Sequence, residues 1–278
     1  MKKFLTVLLA VMLVLSACAL TGCKKEAAPA ADPTAEPSDW AYISEKGTLI
    51  VGMTLFAPMD YYEEGSDVLI GFDADLARAV GEKLGIEVVF QEINWDAKET
   101  ELSSKTIDVI WNGMTLSPDR IENMSCSKPY MNNRQSIVVR ASEAETILAA
   151  MEGLIVVAEQ GSAAESQITG DAAEFFTGTT YVPVDSMAKA LMEVKSLTAD
   201  IAVVDSVCAL GMVGEGTDFE DLVMILDYEF GPEQYGFACR KGSDLTAMID
   251  QAIDELAADG TLAEIAARYG LADILTER

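Results

Sequence analysis

Apolar residues recur along this chain in two alternating rhythms. Short unbroken runs, such as TLIVGM (Thr48–Met53) and IEVVF (86–90), have the length and β-branched content of strands buried on both faces. FDADLARAVGEKLG (72–85) instead carries Leu76, Val80 and Leu84 at helical spacing and stops on Gly85, which predicts a helix. Residues 96–104 read as a helix, 107–111 as a strand and Pro118–Asn123 as a short helix. A second series follows Asn132, with strands at 136–140, 154–158 and 201–204 and helices at 163–169 and 187–193. The chain closes with a strand at 235–240 and a long helix in which Leu245, Met248, Ile249, Ala252, Ile253 and Leu256 keep helical spacing. Gly260 ends that helix, and a last one covers 262–269. The alternation predicts an α/β fold with parallel sheets covered by helices and no repeat of fixed period.

The first residues carry a different signal. Lys2 and Lys3 precede an apolar run over 4–15, too short for a comfortable membrane span, and small residues follow it. This is an export signal. Its end resembles the lipobox of bacterial lipoproteins twice, at LSAC (Cys18) and LTGC (Cys23). Cys23 leaves room for the small-residue cleavage region and is the expected lipidation site, with Cys18 the alternative. Residues 1–22 would be the signal peptide. The Ala- and Pro-rich segment 23–39, with alternating charges, has the composition of a disordered tether.

Charge and residue usage then exclude whole classes of chemistry. A formal net charge of -27 sets the chain against nucleic acid and anionic membrane surfaces. Histidine is absent, which removes Ser-His-Asp catalysis and histidine-based zinc sites. Cys126, Cys208 and Cys239 are widely spaced without a CxxC pair, so buried free thiols are expected, a disulfide between two of them being the alternative. No metal or cofactor is expected.

WNGMTLSPDR (111–120) carries the most specific local chemistry. An apolar strand breaks at Gly113, Thr115 offers a hydroxyl, Ser117-Pro118 reads as an N-cap with proline at the first helical position, and Arg120 offers a planar guanidinium. Together these can grip a small carboxylate. A surface turn with a solvated arginine is the bland alternative.

In order, GTLIVGM, APMD, GFDADLARAVGEKLG, NGMTLSPDR, SKPY, AVVDS and the closing EQYGFACRKGSDL and LAADGTLAEIAARYG resemble the extracellular solute-binding proteins of amino-acid ABC importers, the polar amino-acid group. The resemblance covers nearly the whole exported chain. It implies a two-lobed periplasmic-binding-protein-like (type II) fold with two hinge crossings, closing on its ligand like a clamshell. Lobe 1 would comprise 40–130 and 236–278, lobe 2 residues 135–230, and the hinges 131–134 and 231–235. The resemblance gives Arg120 the ligand α-carboxylate, Thr115 a hydroxyl and backbone N–H for it, and Gly113 a carbonyl for the α-ammonium, with Asn112 beside it. In lobe 2, Ser162 and the backbone of Ala163 would complete the carboxylate cradle, and Asp205 would face the ammonium. Phe56 and Trp95 fall at the aromatic walls, and Glu159 at a position that helps choose the side chain.

Each role has a structural alternative: Asp205 and Ser162 as helix caps, Phe56 and Trp95 as ordinary core. Lys98, Trp111, Glu159 and Met53 depart from the usual family residues, and Lys98 could pair with Glu159 to leave a small neutral pocket. The resemblance implies a monomeric, lipid-anchored, extracytoplasmic protein that passes a free amino acid to the transmembrane permease subunits and is not an enzyme. The alternative is a dehydratase- or lyase-like periplasmic enzyme on the same scaffold, using Glu159, Lys98 or Asp205 as acid or base.

Overall fold

A computed structural model of the chain describes residues 38–278, apart from 64, 227 and 229. The export signal, both candidate lipidation cysteines and tether residues 23–37 lie outside the described residues. Helix α1 (Asp39–Lys46) takes in the last residue assigned to the tether, and Ser38 Oγ caps it by accepting the Ala41 N–H at 3.0 Å. There follow β1 (Thr48–Met53), the pair β2 (Tyr61–Tyr62) and β3 (Leu69–Ile70), α2 (Phe72–Leu84), β4 (Glu87–Glu92), α3 (Lys98–Ser103), β5 (Val109–Thr115), α4 (Pro118–Asn123), β6 (Ser125–Cys126) and β7 (Met131–Arg140). The second series is β8 (Ile155–Glu159), α5 (Ala163–Ser166), β9 (Thr180–Val184), α6 (Met187–Lys195), β10 (Ile201–Asp205), α7 (Ser206–Met212), β11 (Leu222–Met224), β12 (Pro232–Cys239), α8 (Leu245–Ala258) and α9 (Thr261–Arg268).

The main sheet has the order β4-β1-β5-β12-β7-β10-β8-β9. Each end is a parallel run, β4-β1-β5 on one side and β10-β8-β9 on the other. Between them β12 and β7 are antiparallel, and both change partner along their length. Met131–Arg134 of β7 pair with β12, while residues 135–138 pair with β10; β12 in turn continues from β7 onto β5. These are the segments expected to act as hinges. Helices α2, α8 and α9 press Leu76, Val80, Ile249, Ile253, Leu262 and Ile265 into one core cluster. Each such side chain contributes roughly 1.5–3 kcal/mol on burial, so the predicted helical faces do bind these helices to the fold.

Three local expectations change. β5 does not break at Gly113: it runs on to Thr115 with every residue buried. Gly113 accommodates this with φ +52°, and the pairing with β12 slips register between Gly236 and Ala238. A Cβ at Gly113 would stand 2.9 Å from Phe56 Cζ and 3.0 Å from Tyr235 Cε2, so both backbone angle and space demand glycine. The helix expected over 96–104 is divided into a 3-10 turn, Trp95–Ala97, and α3, because Asn94 Oδ1 caps the earlier turn through the Asp96 N–H. The helix expected over 163–169 ends at Ser166 and widens into a π turn, Gln167–Asp171. Cys126, Cys208 and Cys239 are free thiols, the last two buried.

Candidate ligand-binding site

The carboxyl ends of β5, β8 and β10 converge on a narrow cavity, with about 10 Å³ of free space. This is where open α/β sheets leave a crevice, because the following loops diverge to opposite sides. Nine of the ten residues singled out in the sequence line it: Trp95, Asn112, Gly113, Thr115, Arg120, Glu159, Ser162, Ala163 and Asp205, joined by Met187. The tenth, Phe56, is core, its ring packed behind Gly113.

Arg120 is held by the turn that the sequence predicted. Ser117 Oγ accepts the Arg120 N–H at 3.4 Å with Pro118 at the first helical position, and the guanidinium folds back under the strand. Its Nη1 donates to the Thr115 carbonyl at 2.8 Å and its Nη2 to the Gly161 carbonyl at 3.0 Å. The Lys98 ammonium donates to that same Gly161 carbonyl at 3.0 Å and to the Trp95 carbonyl at 3.0 Å. Lys98 and Arg120 also lie over the Trp95 indole, at 5.0 and 5.8 Å from its centroid, so Trp95 serves as a platform for two cations. Burial, then repulsion from Arg120, brings the Lys98 ammonium down to about 8.

Gly161 reaches these cations with φ +72°, and a Cβ on it would stand 2.9 Å from Asp96 Cα. Beside it, Gln160 Nε2 donates to Asp96 Oδ2 at 3.1 Å. Ser162 does cap its own helix, accepting the Glu165 N–H at 3.2 Å, and still lines the cavity. The loop between β8 and α5 therefore touches the segment around Trp95 directly.

Asp205 stands at the N-cap position of α7 but makes no capping bond. Its carboxylate accepts instead from the side-chain amides of Asn133, at 2.9 Å, and Gln135. Those two amides also donate to Glu233 Oε2, at 3.3 and 2.9 Å, and Thr115 Oγ1 donates to the same oxygen at 3.0 Å. Two carboxylates thus share neutral donors. Burial, then the nearby Glu233, raises Asp205 to about 6.

Glu159, at the end of β8, is 2 % exposed, and its Oε1 has no hydrogen-bond partner among the described residues. Burial, then repulsion from Asp205, raises it to about 8 against the pull of Lys98 and Arg120. The ion pair with Lys98 that the sequence allowed does not form, since the lysine is turned to the two carbonyls.

Behind the cavity lies a buried polar scaffold. The Asn112 side chain is spent on it: Oδ1 accepts from Thr54 N and Oγ1, at 2.9 and 2.7 Å, while Nδ2 donates to the Thr54 carbonyl and to Asp60 Oδ2, each at 2.8 Å. Asp73 accepts the Gly113 N–H at 2.6 Å, the Tyr130 hydroxyl at 3.0 Å and the Trp111 indole N–H at 3.2 Å. Trp111, unusual in the sequence, is accordingly a fully buried donor to the residue that fixes Gly113.

Residues 49–272 match the family of bacterial extracellular solute-binding proteins, family 3. The chain belongs to that family. It is 28 % identical to the L-cystine-binding protein TcyA of Bacillus subtilis (strain 168), over 97 % of both chains. It is also similar to an ABC uptake transporter substrate-binding protein from Streptococcus pneumoniae solved with bound histidine, at 29 % identity and TM-score 0.76, covering 87 % of this chain and 99 % of that one. An ancestral amino-acid-binding protein, AncCDT-1, described as a precursor of cyclohexadienyl dehydratase, is 28 % identical with TM-score 0.71, covering 84 % and 99 %. As a family 3 solute-binding protein the chain works outside the cytoplasm.

Reading the motifs missed Asn133, Gln135, Glu233 and Gly161. A signal for the first two was present: in NNRQ, alternate polar residues point to one face of a strand. Glu233 and Tyr235 alternate in the same way along β12, whereas nothing local marks Gly161 as the carbonyl shared by two cations.

Glu159 makes the stability of this binding protein depend on pH. Its folded-state value, about 8, lies above the ordinary 4.5, so the folded chain holds a proton that the unfolded chain releases. Stability is fully present below 4.5 and is lost as pH rises through 8. Glu159→Gln should melt several degrees above the wild type at pH 8, at about 2–4 °C per kcal/mol for a chain of this size, and together with it at pH 4.5. Equal melting temperatures at pH 8 would contradict the assignment.

Proposed function

We propose that this protein captures one free α-amino acid between two lobes and delivers it to the transmembrane subunits of an ABC importer. The observation that carries this reading is a single cavity with Arg120 from α4 and Asp205 from the end of β10. A buried guanidinium suits the α-carboxylate, and a buried carboxylate with only neutral donors suits the α-ammonium. The lobes would be 40–130 with 236–278, and 135–230, joined at 131–134 and 231–235. In this reading the backbone carbonyl of Gly113 and the α5 loop at Ser162 and Ala163 complete the cradle. The relatives named for cystine and histidine support an amino acid as the ligand class.

A second reading, an enzyme of dehydratase type, is favoured by the likeness to AncCDT-1 and by Glu159, which keeps its proton to about 8 and could act as a general acid. Binding is preferred because both ends of a zwitterion have a partner here. A thermal-shift screen of the twenty amino acids finds the ligand, since whatever binds only the folded state raises its melting temperature. Calorimetry with that ligand should lose measurable binding for Arg120→Ala and for Asp205→Ala, and NMR should return the ligand unchanged. Normal binding by both variants would remove the cavity from consideration.

Closure has its own test. A Cβ on Gly211, in α7, would lie 2.5 Å from the Ala57 carbonyl and 2.6 Å from Pro58 Cδ across the cleft. Gly211→Ala should leave the ligand-free protein folded, as alanine favours the helix by roughly 0.5–1 kcal/mol. It should also abolish the ligand-induced compaction seen by small-angle X-ray scattering. Unchanged compaction would mean that the lobes do not meet there.

Anchoring is part of the same proposal: a monomer tethered through a diacylglyceryl group on Cys23, with Cys18 as the alternative. The intact mass of membrane-extracted protein should correspond to a chain starting at Cys23. A mass starting at Cys18, or an unmodified chain, would overturn that assignment.

A further inference from the structure

We propose that the captured amino acid has a cationic side chain and that Glu159 receives it. This inference rests on the amino-acid reading above and adds the class of side chain. Glu159 lines the cavity beside Asp205 and Arg120. It is 2 % exposed, with Oε1 lacking a hydrogen-bond partner among the described residues. A buried carboxylate oxygen without a donor is costly to a fold, and a ligand donor in the cavity would relieve that cost. Lys98 is not that donor. Its ammonium is committed to the carbonyls of Trp95 and Gly161 and faces the larger outer part of the cleft, which it lines with Arg120 and Glu233.

Charge balance points the same way. Among the residues that line this cavity, two acids, Glu159 and Asp205, face one base, Arg120. A zwitterion backbone pairs with Arg120 and Asp205 and adds no net charge. Glu159 is then the acid left over in the cavity, and a monocationic side chain removes the remaining imbalance. A neutral side chain would leave Glu159 to keep its proton, whereas an anionic one would add to the excess. The groups facing Glu159 are Asp205 from β10, Lys98 from α3 and Arg120 from α4. With burial they favour the protonated acid, so docking a cation should expel that proton.

The test uses matched probes on the folded, ligand-free protein: L-arginine against L-citrulline and L-lysine against L-norleucine, with L-glutamate as the anion. In the wild type at least one cation should bind about tenfold or more tightly than its neutral partner. Calorimetry in two buffers of different ionisation heat should show proton release for the cation only. Glu159→Gln should erase the preference and the proton release, and its circular dichroism should match the wild type. Equal affinity for cation and neutral partner, tightest binding of L-glutamate, or an unchanged preference in Glu159→Gln would each overturn the assignment. If neutral amino acids bind and the cations do not, this inference alone fails. If no amino acid binds, the capture reading fails and takes this one with it.

Discussion

The site is organised around negative charge that the fold itself does not neutralise. Asp205 and Glu233 lie close enough to share the amides of Asn133 and Gln135, and those amides carry no charge. Amide donors satisfy lone pairs but leave the repulsion between two carboxylates in place. Both amides stand on β7, Glu233 on β12 and Asp205 on β10, so the repulsion is concentrated where the two halves of the sheet meet. Any cation reaching that point gains from both acids. The nearby bases cannot act as that cation, because Arg120 and Lys98 are held from the other side by the carbonyls of Thr115, Trp95 and Gly161. Opposite charges are thus kept apart within one small cavity, which is the polarity a zwitterion fits.

Keeping them apart requires a rigid backing, and that backing is polar. Asp73, in the first turn of α2, reaches across to the Gly113 N–H, the Trp111 indole and the Tyr130 hydroxyl. Burial lifts it to about 7 despite those donors. Asp60, equally buried and likewise raised by burial, then by the neighbouring Asp73, holds Asn112. A network of this kind is tolerable only if its donors are well matched, and it then fixes one backbone geometry. Here the geometry fixed is the left-handed turn at Gly113, which lets β5 continue to Thr115 and places Arg120 under its own strand.

How much of this the sequence disclosed follows from how local each signal is. The faces of α2 and α8 are periodic over three turns, so Leu76, Val80, Ile249 and Ile253 were legible as core. β9 was not, because Pro183 interrupts TYVPV and only its place at the sheet edge makes that residue tolerable. Helix α7 was hidden by Ser, Val and Cys in its first turn, none a strong helix former. The apparent break at Gly113 was misread since glycine looks the same whether a strand ends or bends. Arg120, Asp205 and Ser162, singled out because ordered motifs surround them, line one cavity. Glu233, Asn133 and Gln135 gain their meaning only when β7, β10 and β12 are brought side by side. Phe56, expected at an aromatic wall, packs in the core behind Gly113.

The contacts across the cleft bear on how the two halves meet. Gly161 touches Asp96, and its carbonyl takes one hydrogen bond from Arg120 and one from Lys98, while Gln160 reaches Asp96. Such bonds to charged donors are individually worth about 1.5–3 kcal/mol at most, and water can replace them when the cleft opens. In the proposed clamshell they would hold the halves together without fixing them, so that a ligand with differential affinity would decide the population. A ligand carboxylate at Arg120 would not need to displace the Gly161 carbonyl, since a guanidinium carries five donors and an ammonium three. It could add its charge to the same cations and strengthen the contact already present. The carbonyl that meets Arg120 would then be part of the ligand's cradle, and binding would tighten a closure that the protein makes weakly by itself.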